Sequence, residues 1–375
     1  MRKKLACEGI VCYSNVREQT VAHRAQKFHK SEVKAFMAGD KTVTIDDVAK
    51  ALGVSKTTVS RAISGKGRIS EATKARVRAY IEENDYRPNA FAKGLAQSKT
   101  YNLGWVVPAD YVETDVLFFM ECMNGVCEAA AEYHYDVLLS TVSKTEISQV
   151  EQMIYNSKVD GVIISRAVVD SKVQKFLDDK HVPYVVIGQS TDSHVAWVDN
   201  KNREACMELT GVLLEKGCRK LVLAGGDETH LVTGSRKNGF LDAYCMQGMK
   251  PEEELIFSDV DNYAKAEELV EKALAEKADG IICMDDFISN LVLACLKEKN
   301  VGIPEEMFVA SFYDNVLLQH HNPSVTAIRF DTKLLGRNAC MKVLALLGET
   351  TDSDVALPGY QICMRDSTDG TKNKK

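Results

Sequence analysis

Paired cysteines are missing from this sequence: it holds 11 Cys, none arranged as CxxC, and most sit in apolar runs such as FFMECMNGVCEAA and GIICMDD. A structural zinc site or dithiol redox motif needs closely paired ligands. No metal is expected, and the thiols should be buried and reduced. Nor does any stretch reach the ~18 apolar residues of a membrane span, and the amino terminus lacks the apolar core of a signal peptide. The expected location is the cytoplasm. P-loop, HExxH, G-x-S-x-G and Gly-rich dinucleotide signatures are also lacking, and GGDETH at 225–230 reads as a strand end entering a loop. No enzymatic role and no cofactor are expected.

What is present is an uneven charge. The net value of −6 averages over residues 1–41, with nine Lys/Arg against four Asp/Glu, residues 42–99, with eleven against six, and the remainder, with 27 against 43. A basic front on an acidic body is the pattern of a chain in which one end meets a polyanion.

Residues 1–36 show no sustained periodicity and precede an internal Met37. Residues 1–41 are read as an extension, disordered or untranslated, with Met37 as the expected start. Residues 42–87 form a headpiece of three short helices. Thr44 and Asp47 make a capping box, Gly53 supplies a left-handed turn, and Ser55 and Ser70 open the next two helices. Ile45, Val48, Ala49, Leu52, Val54, Val59, Ile63, Val77 and Ile81 supply a miniature core. Residues 88–100 are a linker, where Pro88 breaks the pattern and Gly94 and Ser98 weaken any helix.

From Tyr101 the pattern alternates short β-rich runs (LGWVVP, YDVLLS, DGVIIS, PYVVIG, KLVLAGG, DGIICM, FVASF) with helical stretches, which implies parallel sheets built from βαβ units. KVDGVIIS at 158–165 recurs as KADGIICM at 277–284, pointing to two similar lobes in a body of residues 101–367. HVAWVD near Val195 and SVTAIRF near Val325 are candidate strands crossing between the lobes. Residues 368–375, polar and charged, are expected to be a disordered tail.

The stretch TIDDVAKALGVSKTTVSRAI at 44–63 fits a helix-turn-helix: an i, i+3, i+4 apolar set, a glycine turn, then a helix projecting Lys56, Thr57, Ser60 and Arg61. An amino terminus at Ser55 suits a phosphate. Arg61 suits a guanine edge, and Lys56 a base or a phosphate. Here the sequence resembles the lactose-repressor/galactose-repressor family of transcription regulators, from about Thr42 to Gly359. The motifs are TIDDVAKALGVSKTTVSRAISGKGRISEATKARV, the hinge YRPNAFAKGLAQSKT, and VDN at Val198, GSRKNGF at Gly234 and PSVTAI at Pro323.

The resemblance implies a small all-α helix-turn-helix headpiece on a two-lobed, periplasmic-binding-protein-like α/β body. It implies a homodimeric repressor of double-stranded operator DNA, controlled by a small-molecule effector, a sugar in the first reading and a non-sugar effector or protein co-effector in the alternative one. Lys56, Thr57 and Arg61 would enter the major groove, while Thr44, Ser55, Thr58 and Ser60 would meet phosphates. In the hinge, Leu95 would wedge into the minor groove with Asn89 and Ala92 in support.

Two lobes leave a cleft at the carboxyl ends of parallel strands, where ligands bind. The family match places Phe118, Phe119, Arg236, Asp285 and Tyr313 there, and Asp199 is a further cleft candidate. Arg236 corresponds to an effector-clamping arginine, and Asp285 stands where asparagine is usual and doubles as a helix cap. Where the family commonly reads GFDD or GYDD this chain reads Ser311, Phe312, Tyr313, Asp314, replacing a carboxylate with a phenol that donates and accepts single hydrogen bonds. The helical runs FFMECMNGVCEAAAEY and FISNLVLACL carry either core or the dimer surface, and Leu291 replaces a frequent glycine.

Overall fold

The computed structural model describes residues 43–65, 67–86, 94, 97–109, 116–190, 192–351 and 358–372. The extension 1–41 and the hinge residues Asn89, Ala92 and Leu95 lie outside these. The chain divides into two compact units, meeting at Gln97 and Ser98.

The first unit contains helices α1 (Ile45–Leu52), α2 (Lys56–Ser64) and α3 (Glu71–Glu83). Thr44 accepts from Asp47 N (3.3 Å) and the Asp47 carboxylate accepts from Thr44 N (2.9 Å), closing the capping box. Gly53 ends α1 at φ 65°, where a Cβ is disfavoured. Ser55 caps α2 through Thr58 N (3.1 Å), and Ser70 caps α3 through Thr73 N (3.2 Å). Every apolar residue expected in the small core is in it, joined by Ala62 and Tyr86.

The second unit holds two α/β lobes. In the amino-terminal lobe, β1 (Asn102–Pro108), β2 (Asp136–Val142), β3 (Gly161–Ile164), β4 (Tyr184–Ile187) and β5 (Ala196–Val198) form a parallel sheet ordered β2-β1-β3-β4-β5. Between them run α4 (Val116–Glu132), α5 (Ser148–Tyr155) and α6 (Lys172–Asp179).

The carboxy-terminal lobe begins with α7 (Asn202–Glu215), β6 (Leu221–Ala224), α8 (Leu231–Met246), β7 (Ile256–Phe257), α9 (Tyr263–Ala275) and β8 (Gly280–Cys283). It continues through α10 (Asp286–Glu298), β9 (Phe308–Ser311), α11 (Val316–Gln319) and β10 (Thr326–Phe330). After α12 (Thr332–Leu346), β11 (Tyr360–Cys363) adds antiparallel to β10, giving the order β11-β10-β9-β8-β6-β7. The repeated VDG and ADG runs open β3 and β8, equivalent inner strands of the two sheets.

The strands near Val195 and Val325 differ from expectation. Each of β5 and β10 belongs wholly to one sheet, and the chain crosses in the short segments after them, at 199–201 and at Asp331. A third crossing follows α12, which packs on α4 and on β3, β4 and β5 in the amino-terminal lobe. That packing depends on two glycines: a Cβ on Gly125 would collide with the Lys333 carbonyl, and one on Gly336 with the Cys122 carbonyl.

The tail expected from residue 368 is docked through Lys372, which corrects that expectation. Ser367 Oγ donates to Val309 O (2.6 Å) and accepts from Thr326 N (2.8 Å), Thr368 is buried against Thr326, and Lys372 Nζ donates to Pro304 O (2.9 Å). Polar residues stay put because each finds a partner. Cysteines are mixed: Cys122, Cys206, Cys218, Cys283, Cys295 and Cys340 are buried, whereas Cys127 and Cys245 are exposed. Among the described residues no helix is long and apolar enough to cross a membrane.

Candidate functional site

On the headpiece, the residues expected to meet DNA share one helix and its approach. Thr44, Ser55, Lys56, Thr57, Ser60 and Arg61 are exposed and Thr58 is half-buried, whereas Val59 and Ala62 are fully buried beneath them. Ser55 Oγ and Thr58 Oγ1 lie 2.9 Å apart at the start of α2, where unpaired N–H groups and the helix dipole favour an anion. Lys56 Nζ is 2.7 Å from Asp46, an exposed pair that a phosphate can replace at little cost. Arg61 leans along the Gly67 backbone, where a Cβ would approach its side chain to 3.2 Å.

In the body, a cavity of about 350 Å³ lies between the lobes. Its lining includes all six residues expected there: Phe118, Phe119, Asp199, Arg236, Asp285 and Tyr313. Phe118 and Phe119 come from the first turn of α4 and meet edge to face (5.2 Å), and Phe118 meets Tyr313 of the other lobe at 5.9 Å. Arg166 lies over the Phe119 ring at 5.1 Å. Aromatic faces with adjoining polar groups suit a ligand with both apolar and hydroxylated surface.

The polar side of the cavity is wired through the first crossing. Asp199 Oδ1 accepts from Asn200 N (2.8 Å) and Asn202 Nδ2 (3.1 Å), while Asn202 Oδ1 accepts from Arg236 Nε (3.3 Å). Arg236 also donates to the Met284 carbonyl, which ties α8 to the end of β8. Burial pushes the Asp199 carboxyl up to about 6, against the lowering influence of Asn200 N, the Arg236 charge and Asn202.

Asp285 caps α10 by accepting from Ile288 N (2.8 Å) and also faces the cavity, so its two readings coexist. Tyr313 is 7% exposed, with its hydroxyl 3.4 Å from Thr332 Oγ1, and burial raises its phenol well above the ordinary value. It enters the site as a neutral group.

Several cavity residues escaped the sequence reading. Lys144 and Asp227 pair at 2.7 Å between the lobes. Burial alone would raise the Asp227 carboxyl, but hydrogen bonds from Lys144 and Thr229 outweigh it and hold it below the usual range. Ser165 Oγ and Asn200 Oδ1 are buried without hydrogen-bond partners, and both residues line the cavity. Asn200 stands within the VDN motif, which offered a signal; Ser165 is an ordinary strand-end serine and offered none. Elsewhere among the described residues, Glu252, Glu254 and Glu276 lie close enough to share a cation, but Lys220 and Lys272 already face them.

Comparison with known proteins agrees with both halves. Residues 44–89 match the model of bacterial regulatory proteins of the lacI family, and residues 210–368 match a periplasmic binding protein-like domain. The HTH-type transcriptional regulator MalR of Streptococcus pneumoniae serotype 4 is 29% identical over 335 residues, 86% of this chain and 96% of that protein. Catabolite control protein A of Staphylococcus aureus is 28% identical over 292 residues, 76% of this chain and 87% of that protein. Among solved structures, the transcriptional regulator CelR-cellobiose complex superposes with a TM-score of 0.65 at 26% identity, covering 86% of this chain and 99% of that one. Headpiece, cleft and relatives point the same way: the chain is similar to bacterial regulatory proteins of the lacI family in its headpiece and to periplasmic binding protein-like domains in its body.

Proposed function

We propose that this chain is a cytoplasmic, homodimeric transcription repressor whose grip on its operator is set by a small-molecule effector, a sugar, held between the body lobes. The observation that carries the reading is the convergence of Arg236, Asp199, Asp285 and Tyr313 with the Phe118–Phe119 pair on one cavity, in a chain that also bears a helix-turn-helix. A relative in this family is described as a cellobiose complex, which supports a sugar as the ligand.

Lys56, Thr57 and Arg61 are assigned to bases, and Thr44, Ser55, Thr58 and Ser60 to phosphates. Asn89, Ala92 and Leu95 of the hinge are assigned to the minor groove. Exposed Val116, Leu117 and Met120 on α4 are assigned to the dimer, whereas the other run that offered core or dimer surface, FISNLVLACL on α10, is mostly core, with Ile288, Val292, Leu293, Cys295 and Leu296 buried.

The test is selection of bound sites from a random DNA library, followed by mobility shifts with and without cellobiose and related sugars. A pseudo-palindromic site whose affinity falls steeply with salt and changes with a sugar is the expected result. Failure to select any sequence overturns the DNA-binding reading. Sugar-independent binding to a selected site overturns the effector reading alone.

A further inference from the structure

Asn200 sits on the first crossing, between β5 and α7, and is 9% exposed. Its backbone is held on both sides: N donates to Asp199 Oδ1 (2.8 Å), and its carbonyl accepts from Asn202 N (2.8 Å). The residues flanking it are tied to each other and to Arg236. The side-chain Oδ1 is buried and lacks a partner, and the residue lines the cavity between the lobes.

A buried acceptor left unpaired keeps its full desolvation cost, and such groups are uncommon in native proteins. Nothing in the packing requires an amide here. An aliphatic side chain of similar size would fill the volume without the desolvation cost, so the amide is explained by a group that arrives from the cavity.

We propose that Asn200 determines effector specificity: its Oδ1 accepts a hydrogen bond from a ligand hydroxyl or N–H, and a ligand without a donor at that point is rejected. This rests on the cleft being the effector site. The ligand it selects presents a hydrogen-bond donor to the crossing segment, beside the Asp199 carboxylate. A polyhydroxy compound meets that demand, whereas a purely acceptor-bearing anion would set lone pairs against Oδ1. Because Asn200 lies in a segment joining the lobes, the same contact fastens the ligand to a crossing between them.

Two properties of the full-length chain separate a ligand-directed Asn200 from a structural one. Asn200→Leu and Asn200→Ala are prepared, and melting temperatures are measured alone and with cellobiose, maltose or glucose, with calorimetry on any sugar that binds. Free Asn200→Leu is expected to melt at or up to ~4 °C above the parent chain, since an unpaired acceptor is removed. Affinity for the bound sugar should fall about 10-fold or more in both variants, as the ligand donor loses its acceptor.

A drop of several degrees in both free variants assigns Asn200 to the fold and overturns the proposal. So does sugar affinity unchanged by either substitution. If no sugar binds the parent chain, the sugar reading fails on its own. Asn200 is then judged by the free proteins: an unchanged or higher melting temperature for Asn200→Leu supports a ligand-facing role, and a lower one overturns it.

Discussion

Lys144 and Asp227 meet across the cleft with Nζ and Oδ2 2.7 Å apart, one on the loop after β2 and the other on the loop after β6. The neighbouring loops also pair through their backbones: Val169 N donates to Thr229 O (2.9 Å), and Leu231 N to Ala167 O (3.2 Å). The lobes are therefore in contact on the side opposite their covalent crossings. Asp227 is further fastened by Thr229 N (2.8 Å) and Thr229 Oγ1 (2.6 Å), both donating to its Oδ1.

The first prediction concerns this contact. Lys144 is 71% exposed, which limits the pair to about 0–1 kcal/mol and makes it salt-sensitive. Lys144→Ala should shift the lobes toward an open arrangement by no more than ~5-fold and weaken effector binding by a similar factor. Interlobe distances from paired spin labels would read it. An unchanged distance distribution at low salt would show that backbone pairing alone holds the lobes.

Much of this architecture was legible in the sequence because its signals are local. Asp160 and Asp279, the acids of the repeated VDG and ADG runs, do the same work in each lobe. Asp160 accepts from Thr100 N (2.7 Å) and Tyr101 N (2.9 Å), and Asp279 from Arg219 N (2.7 Å) and Lys220 N (2.9 Å), each fastening the residues that lead into a first strand. Caps and the headpiece core were readable for the same reason. The allegiance of α12 was not, since an amphipathic helix shows which face it buries but not against which sheet. Docking of Ser367 and Thr368 was equally hidden, because composition cannot reveal that a polar residue has found partners at Val309 and Thr326. At the cleft, Arg236, Asp285 and Tyr313 came from motif matching. The unpaired states of Ser165 and Asn200 exist only in three dimensions.

Gly125 and Gly336 let α4 and α12 approach backbone to backbone. Adding a methyl at either position forces the helices apart and disturbs the apolar cluster that includes Phe119, Val126, Leu335 and Ala339. Gly336→Ala should cost about 2–4 kcal/mol by urea denaturation, well beyond the ordinary gain of Ala over Gly in a helix. A neutral or stabilising result would mean that the crossing can widen freely.

Arg61 is exposed on α2, above the buried Val59 and Ala62. Its removal should leave headpiece stability nearly intact. On the best selected site, Arg61→Ala is predicted to lose about 1–3 kcal/mol of binding and to relax preference at one base pair. Lys56→Ala should weaken all sequences more evenly if it meets a phosphate, with a shallower salt dependence. A uniform loss for Arg61→Ala across a binding-site library would demote that residue to a backbone contact.

Asp199 gives the body a defined pH response. Burial raises its carboxyl to about 6, whereas an unfolded aspartate titrates near ~3.9. Between roughly pH 4 and pH 6 the native state therefore holds more protons than the unfolded state. The contribution of this residue to stability is fullest below the unfolded value and is lost as pH rises through the folded one. Asp199→Asn keeps an acceptor for Asn200 N and Asn202 Nδ2 but cannot ionise. Its stability relative to the parent should climb from pH 4 to about 6 and level off above 7, by ~1–3 kcal/mol once partial solvent screening is allowed for. Urea melts at pH 4.5, 5.5 and 7 would trace the climb, and parallel stabilities across that range would place the Asp199 titration elsewhere. An effector hydroxyl donating to the ionised carboxylate should stabilise that form, so sugar affinity in the parent chain should fall below pH 6 while that of Asp199→Asn stays flat.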